Sequence, residues 1–131
     1  MRSDAPRDFR ELIVWQKGME LAQAVYRVAR LLPAEETYGL SAQLRRAAVS
    51  VPSNIAEGYA RRTTRELVQF VGVAQGSLAE LQTQIELSRL LGYVSDESAD
   101  SSLSLIQECQ RLLHSMQATL RARIRDGSAR L

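Results

Sequence analysis

Cysteine occurs once in this chain, at Cys109, so no disulfide can close within it, and a reducing compartment is expected. Histidine also occurs once, at His114. A zinc site takes about four ligands from His, Cys and carboxylate, and di-iron bundles use paired Glu-x-x-His motifs. Cys109 and His114 lie five apart on one predicted helix and do not face each other. No metal and no cofactor are therefore expected. The chain also lacks a Gly-x-Ser-x-Gly elbow and a glycine-rich phosphate loop. Its carboxylates are not matched for acid–base work. Glu57 precedes Arg61 by four residues, the spacing of a helical ion pair, and Glu80 faces either a partner helix or solvent. These absences argue against an enzyme and against a small-molecule substrate.

Other shortages bound the fold. Three prolines and seven glycines leave room for long helices rather than many short strands. No apolar run approaches the ~18 residues of a membrane span. The stretch from Met1 to Asp8 has no apolar core of a signal peptide, so a cytoplasmic protein is expected. Lysine is nearly missing too: Lys17 stands against sixteen arginines. What is present is ordinary for a folded protein. The 131 residues are 45% apolar and 24% charged, enough for one domain spanning 1–131 with a real core.

Periodicity places four helices. From about Leu12, one apolar seam runs through Val14, Leu21, Val25, Val28 and Leu32. A second runs beside it through Trp15, Met19, Ala22, Tyr26 and Ala29, giving a wide apolar face. Pro33 ends this helix, and a turn or short helical piece spans Ala34 to Gly39. The second helix, from about Leu40 to Ala60, turns Leu40, Leu44, Ala47, Val51 and Ile55 inward, with Gly58 weakening its end. Thr63-Thr64-Arg65-Glu66 is a capping box that opens the third helix. Its seam of Leu67, Val71, Ala74, Leu78, Leu81, Ile85 and Ser88 alternates steps of four and three. Gly92 is its C-cap. Ser95, followed by Asp96 and Glu97, opens the fourth, whose seam is Leu103, Ile106, Cys109, Leu113, Met116, Leu120 and Ile124. Gly127 closes it. Residues 1–8 and 127–131 are expected to be flexible tails. Short connections predict an all-α, antiparallel up-down-up-down four-helix bundle.

Pro52 interrupts the second helix. It removes a backbone donor and crowds the preceding turn, at ~3 kcal/mol in a helix interior. A kink with a structural purpose is expected there, with Asn54 satisfying backbone groups that Pro52 frees. Gly72, Gly76, Ala79 and Thr83 form a stripe of small residues beside the third helix's seam. Such a stripe lets a second backbone come close, either inside one bundle or between subunits.

Charge is segregated along the chain. Residues 41–65 carry +4, residues 66–108 carry −6, and residues 109–131 carry +4, within an overall +2. Two uses fit: docking of the basic second helix against the acidic third, within or between subunits, or phosphate binding. For the second, the candidates are Arg61, Arg62 and Arg65 around one turn, with Arg121, Arg123 and Arg125 near the C-terminus. Tyr59 is the only aromatic in the basic segment, which weakens a single-strand stacking mode.

Four blocks in order complete the reading. They are Phe9-Arg10-Glu11-Leu12-Ile13-Val14-Trp15-Gln16-Lys17, then Tyr38 through Ala48 with Arg45-Arg46, then Ser50-Val51-Pro52-Ser53-Asn54-Ile55-Ala56-Glu57-Gly58, and Gly76-Ser77-Leu78-Ala79-Glu80-Leu81-Gln82-Thr83-Gln84. Over about residues 9–94 the chain resembles the bacterial four-helix-bundle family named for proteins encoded in 23S rRNA intervening sequences. Gly18 departs from the helix-friendly small residue expected after Trp-Gln-Lys. The resemblance implies an all-α subunit, a ring-shaped homopentamer and no established enzymatic activity. It also implies a relation to bundle proteins that act beside reverse transcriptases and bind nucleic acid on a basic ring. The expected role is a non-catalytic oligomeric scaffold or accessory protein associated with RNA or DNA. The alternative is a protein–protein adaptor whose charges serve assembly.

Overall fold

The computed structural model describes residues 8–127. They form four helices and, among the described residues, no strand: α1 (Ile13–Leu31), α2 (Leu40–Tyr59), α3 (Thr64–Leu90) and α4 (Asp96–Arg125), with short 3-10 turns at Phe9–Glu11 and Ala34–Glu36. Residues 1–7 and 128–131 of the expected tails lie outside the described residues. Asp8, assigned to the first tail, is instead a cap: its carboxylate accepts from the Arg10 backbone N–H at 2.7 Å.

The ends of the helices follow the local chemistry. The Thr63 hydroxyl accepts from the Glu66 N–H at 3.2 Å, and Glu66 accepts back from the hydroxyl, so the capping box satisfies donors at the start of α3. Gly92 takes φ +79° after α3. There the Tyr93 N–H reaches the Ser88 carbonyl and the Gly92 N–H that of Arg89, a Schellman closure. Ser95 caps α4 by accepting from the Ser98 N–H. Glu36 has a role that no sequence pattern announces. Its carboxylate accepts from the Leu40 N–H at 3.0 Å, capping α2 from outside, and from the Tyr93 hydroxyl at 3.0 Å. That bond ties the α1–α2 connection to the α3–α4 connection. It favours the neutral phenol and, with burial, raises the Tyr93 pKa.

Each helix packs on two others: α1 on α2, α2 on α3, α3 on α4 and α4 on α1. One core draws on all four, with Leu21, Leu44, Ile55, Leu67, Leu78, Leu81, Ile106 and Leu113 fully buried. Burying one such side chain contributes about 1.5–3 kcal/mol, whereas an exposed ion pair contributes about 0–1 kcal/mol. The core therefore holds the fold. The first seam of α1 is buried throughout, but the second is not: Met19 and Tyr26 are exposed, and only Ala29 is fully covered. The wide apolar face of α1 is thus half open. Lys17 crosses to α4, 3.5 Å from Glu108 and 3.4 Å from Glu20 on its own helix, and its pKa is raised, chiefly by Glu108.

The α2–α3 contact narrows one expectation and extends another. No ion pair joins the basic α2 to the acidic α3 among the described residues; apolar packing and a 2.7 Å hydroxyl bridge between Ser50 and Ser77 join them instead. Gly58 does more than weaken a helix end. A Cβ there would lie 2.6 Å from the Phe70 Cβ and 2.9 Å from the Leu67 Cδ1, so the absence of a side chain is what lets α3 approach.

Candidate nucleic-acid interface

The six arginines singled out from sequence do not act alike. Arg65 sits in the first turn of α3, while Arg121 and Arg125 lie one turn apart on the last turns of α4. The structure brings these three together around one open groove of about 530 Å³, completed by Val68, Gln69 and Ile124. None of the three forms an ion pair among the described residues. Like charges gathered this way attract an anion, and guanidinium forks match phosphate oxygens. Arg61 is differently placed: it pairs with Glu57 at 2.8 Å and its guanidinium lies 4.8 Å from the Phe70 ring centroid. Arg62 and Arg123 are exposed but do not line the groove; two residues from Arg121 and Arg125, Arg123 projects from another face of α4.

Most motif residues are engaged inside the chain, whereas Arg46 and Glu57 are exposed. Trp15 meets Phe9 edge-on, with ring centroids 5.3 Å apart. Arg45 donates to the Thr37 carbonyl at 3.4 Å. Pro52 is buried, and α2 continues through it; a Cβ on Gly18 of α1 would lie 3.5 Å from the Pro52 Cβ. Asn54 does not bond the acceptor that Pro52 leaves open, which is the Ala48 carbonyl four residues back. Its amide donates instead to the Ser50 carbonyl at 2.8 Å and the Ser50 hydroxyl at 2.9 Å, extending the hydroxyl bridge to Ser77. Beside this network lies a polar slot of about 270 Å³ lined by Gln43, Arg46, Ala47, Ser50, Glu80 and Gln84, in which the buried Gln84 Oε1 has no hydrogen-bond partner among the described residues. Sequence reading missed the Ser50–Ser77 bridge. The available signal was a serine at an inward position, Ser77, beside Leu78.

The small-residue stripe makes no close contact inside the bundle. Gly72, Gly76, Ala79 and Thr83 are all exposed, and a Cβ at Gly72 or Gly76 would meet nothing within 4 Å. The α3 seam turns the other way, so the stripe faces solvent, and the Thr83 hydroxyl donates to the Ala79 carbonyl on its own helix. The close approach belongs to Gly58.

Cys109 and His114 are as separate in space as their spacing implies. Cys109 is fully buried, and burial, aided by Glu108, pushes its thiol up to about 11. Such a thiol is a poor nucleophile at neutral pH. His114 is exposed on an open groove of about 510 Å³ with Gln75, Gln107, Gln110 and Arg111. Among the described residues, no cluster of three or more His, Cys, Asp or Glu is arranged to hold a metal, and no helix is long and apolar enough to cross a membrane.

No curated protein matches this chain. Among solved structures it is similar to a crystal structure of a protein of unknown function from the S23 ribosomal protein family of Bacteroides thetaiotaomicron. The TM-score is 0.75 at 23% identity, over 80% of this chain and 98% of that one. At that identity the likeness is one of fold. The family described as 23S rRNA-intervening sequence protein matches residues 10–115. That match spans α1, α2, α3 and most of α4, including every motif block quoted above from Arg10 on, and on it the chain belongs to the 23S rRNA-intervening sequence protein family.

Proposed function

We propose that this protein is a non-catalytic, cytoplasmic scaffold or accessory protein that assembles as a homopentameric ring and holds RNA or DNA by its phosphate backbone. The subunit is an antiparallel up-down-up-down bundle. In support, Ala29 meets Ser41, Gly18 meets Pro52, Ser50 meets Ser77 and Gly58 meets Phe70, so paired positions run in opposite chain directions from helix to helix. One observation carries the binding proposal: Arg65 converges on one groove with Arg121 and Arg125, about 60 positions further along the sequence, without carboxylate partners there. A ring would repeat that groove on every subunit, so weak phosphate contacts add by multivalency.

Fluorescence anisotropy with labelled RNA and DNA strands across a salt series tests this. Binding is expected to tolerate any sequence and to weaken steeply with salt, because released counterions dominate such affinity. Glu in place of Arg65, Arg121 and Arg125 is expected to abolish it, whereas Arg61→Glu, at an arginine already paired, is expected to weaken it less. Absence of binding at low salt, or binding indifferent to salt and to these substitutions, would leave the charges to protein–protein assembly.

A further inference from the structure

The two ends of the molecule differ in kind. Arg65 and Leu90 lie near opposite ends of α3, 25 residues and so about 38 Å apart. Around Leu90 the surface is apolar: Tyr38 is 96% exposed and Leu90 75%, with Leu31 and Leu91 also exposed. The loops carrying Tyr38 and Leu91 are joined by the Tyr93–Glu36 bond. The same end carries exposed carboxylates: Glu35 in the α1–α2 connection, and Asp96, Glu97 and Asp100 at the start of α4. Of the nearby cations, Arg89 is engaged by Glu86 and Asp96, Arg45 donates to the Thr37 carbonyl beside Tyr38, and Arg30 stands at the end of α1, so the carboxylates outnumber them. Large apolar side chains left exposed together at one end of a chain mark a surface that takes a partner.

The opposite end is its complement. Val68 and Ile124 are half-buried apolar side chains in the groove of Arg65, Arg121 and Arg125. One end carries exposed apolar side chains with carboxylates in excess, and the other carries apolar side chains with guanidiniums in excess, since Glu66 and Asp126 are outnumbered there by Arg62, Arg65, Arg121, Arg123 and Arg125. We propose that these ends dock on each other between copies, the basic end of one chain seating on the Tyr38–Leu90–Leu91 end of a second copy. The two patches are different and lie at opposite ends of one chain, so no chain satisfies its own. The contact is heterologous and does not close on itself, so it builds stacks. Side-by-side packing uses the flanks of the helices and leaves the ends free; stacking therefore multiplies whatever unit side-by-side packing makes. The proposal stands apart from nucleic-acid binding but uses the same arginines, so the two compete.

Sedimentation velocity and light scattering over a concentration series, at low and high salt, test it. Wild-type protein is expected to at least double its mass with concentration at low salt and to return to the base unit at high salt. The double variant Asp96→Arg/Glu97→Arg repels its own basic end, and Arg121→Glu/Arg125→Glu repels its own acidic end; each alone is expected to stay at the base unit. An equimolar mixture of the two is expected to grow again, because each junction then pairs opposite charges. Tyr38→Ser/Leu90→Ser changes only exposed side chains and is expected to stop growth without touching a charge. A wild-type mass independent of concentration and salt overturns the proposal. So does growth of either charge variant alone, continued growth of the serine variant, or a mixture of folded charge variants that fails to grow. The size of the base unit reads side-by-side assembly separately.

Discussion

Single atoms decide much of this protein's packing. At Gly58 an added methyl group would sit 2.6 Å from Phe70, whereas at Gly18 it would sit at ordinary contact distance, 3.5 Å from Pro52 and Val51. The same substitution should therefore have opposite signs. Gly58→Ala is expected to cost ~1–3 kcal/mol through overpacking. Gly18→Ala is expected to gain ~0.5–1 kcal/mol by restricting the unfolded chain and favouring the helix. Urea denaturation midpoints check both. Sequence marked both glycines but misjudged Gly58, because a close approach depends on which residues the next helix presents. Cys109 supplies a pH dependence. Its thiol ionises near 9.0 unperturbed and near 11 in the folded state, so the folded protein holds the proton more tightly. Stability from this group is complete below about pH 9 and falls as pH rises through about 11. A thiol reagent at pH 8 is expected to leave the native protein unlabelled and to label it fully in denaturant; rapid native labelling would contradict the burial.

Helix boundaries were the most legible part of the sequence, because their signals are local. Thr63 with Glu66, Gly92 and Ser95 each form the cap that their residue types predicted. Thr63→Ala removes a hydroxyl that satisfies the Glu66 N–H and is expected to cost ~1 kcal/mol of stability, measurable by the same denaturation curves; no change would mean that water replaces the hydroxyl without loss. The buried seam of α3 was equally readable, since all seven of its positions are buried. What local pattern could not show was contact between elements. Glu36 capping α2 while bonding Tyr93, 57 residues away, depends on the assembled bundle, as does the Ser50–Ser77 bridge. Of the two uses of the small-residue stripe, close packing inside the bundle is not what the structure shows, because small side chains permit an approach but no helix of the same chain makes it; contact between subunits is the use that stays open.

At the scale of the whole molecule, the sequence showed basic segments at 41–65 and 109–131 but not that Arg65 would meet Arg121 and Arg125. Convergence of that kind depends on which helix ends share a pole of the bundle, and it singled out three arginines of six. If the half-open face of α1, with Met19 and Tyr26, and the exposed stripe of α3 are covered between subunits, the high-salt mass should be near five subunits by light scattering. Gly76→Leu should then lower that mass while leaving a folded chain, because nothing inside the bundle lies within 4 Å of that position; a monomer in wild type would end the ring reading. The lone lysine carries a last consequence. Lys17 is the only side-chain amine in the sequence, and it is held between Glu20 and Glu108 where α1 meets α4. Acylating reagents react with the unprotonated amine, which those two carboxylates make scarcer. The rate at which such a reagent consumes Lys17, read at that residue, thus counts how often its amine leaves Glu20 and Glu108, with no second lysine to share the signal.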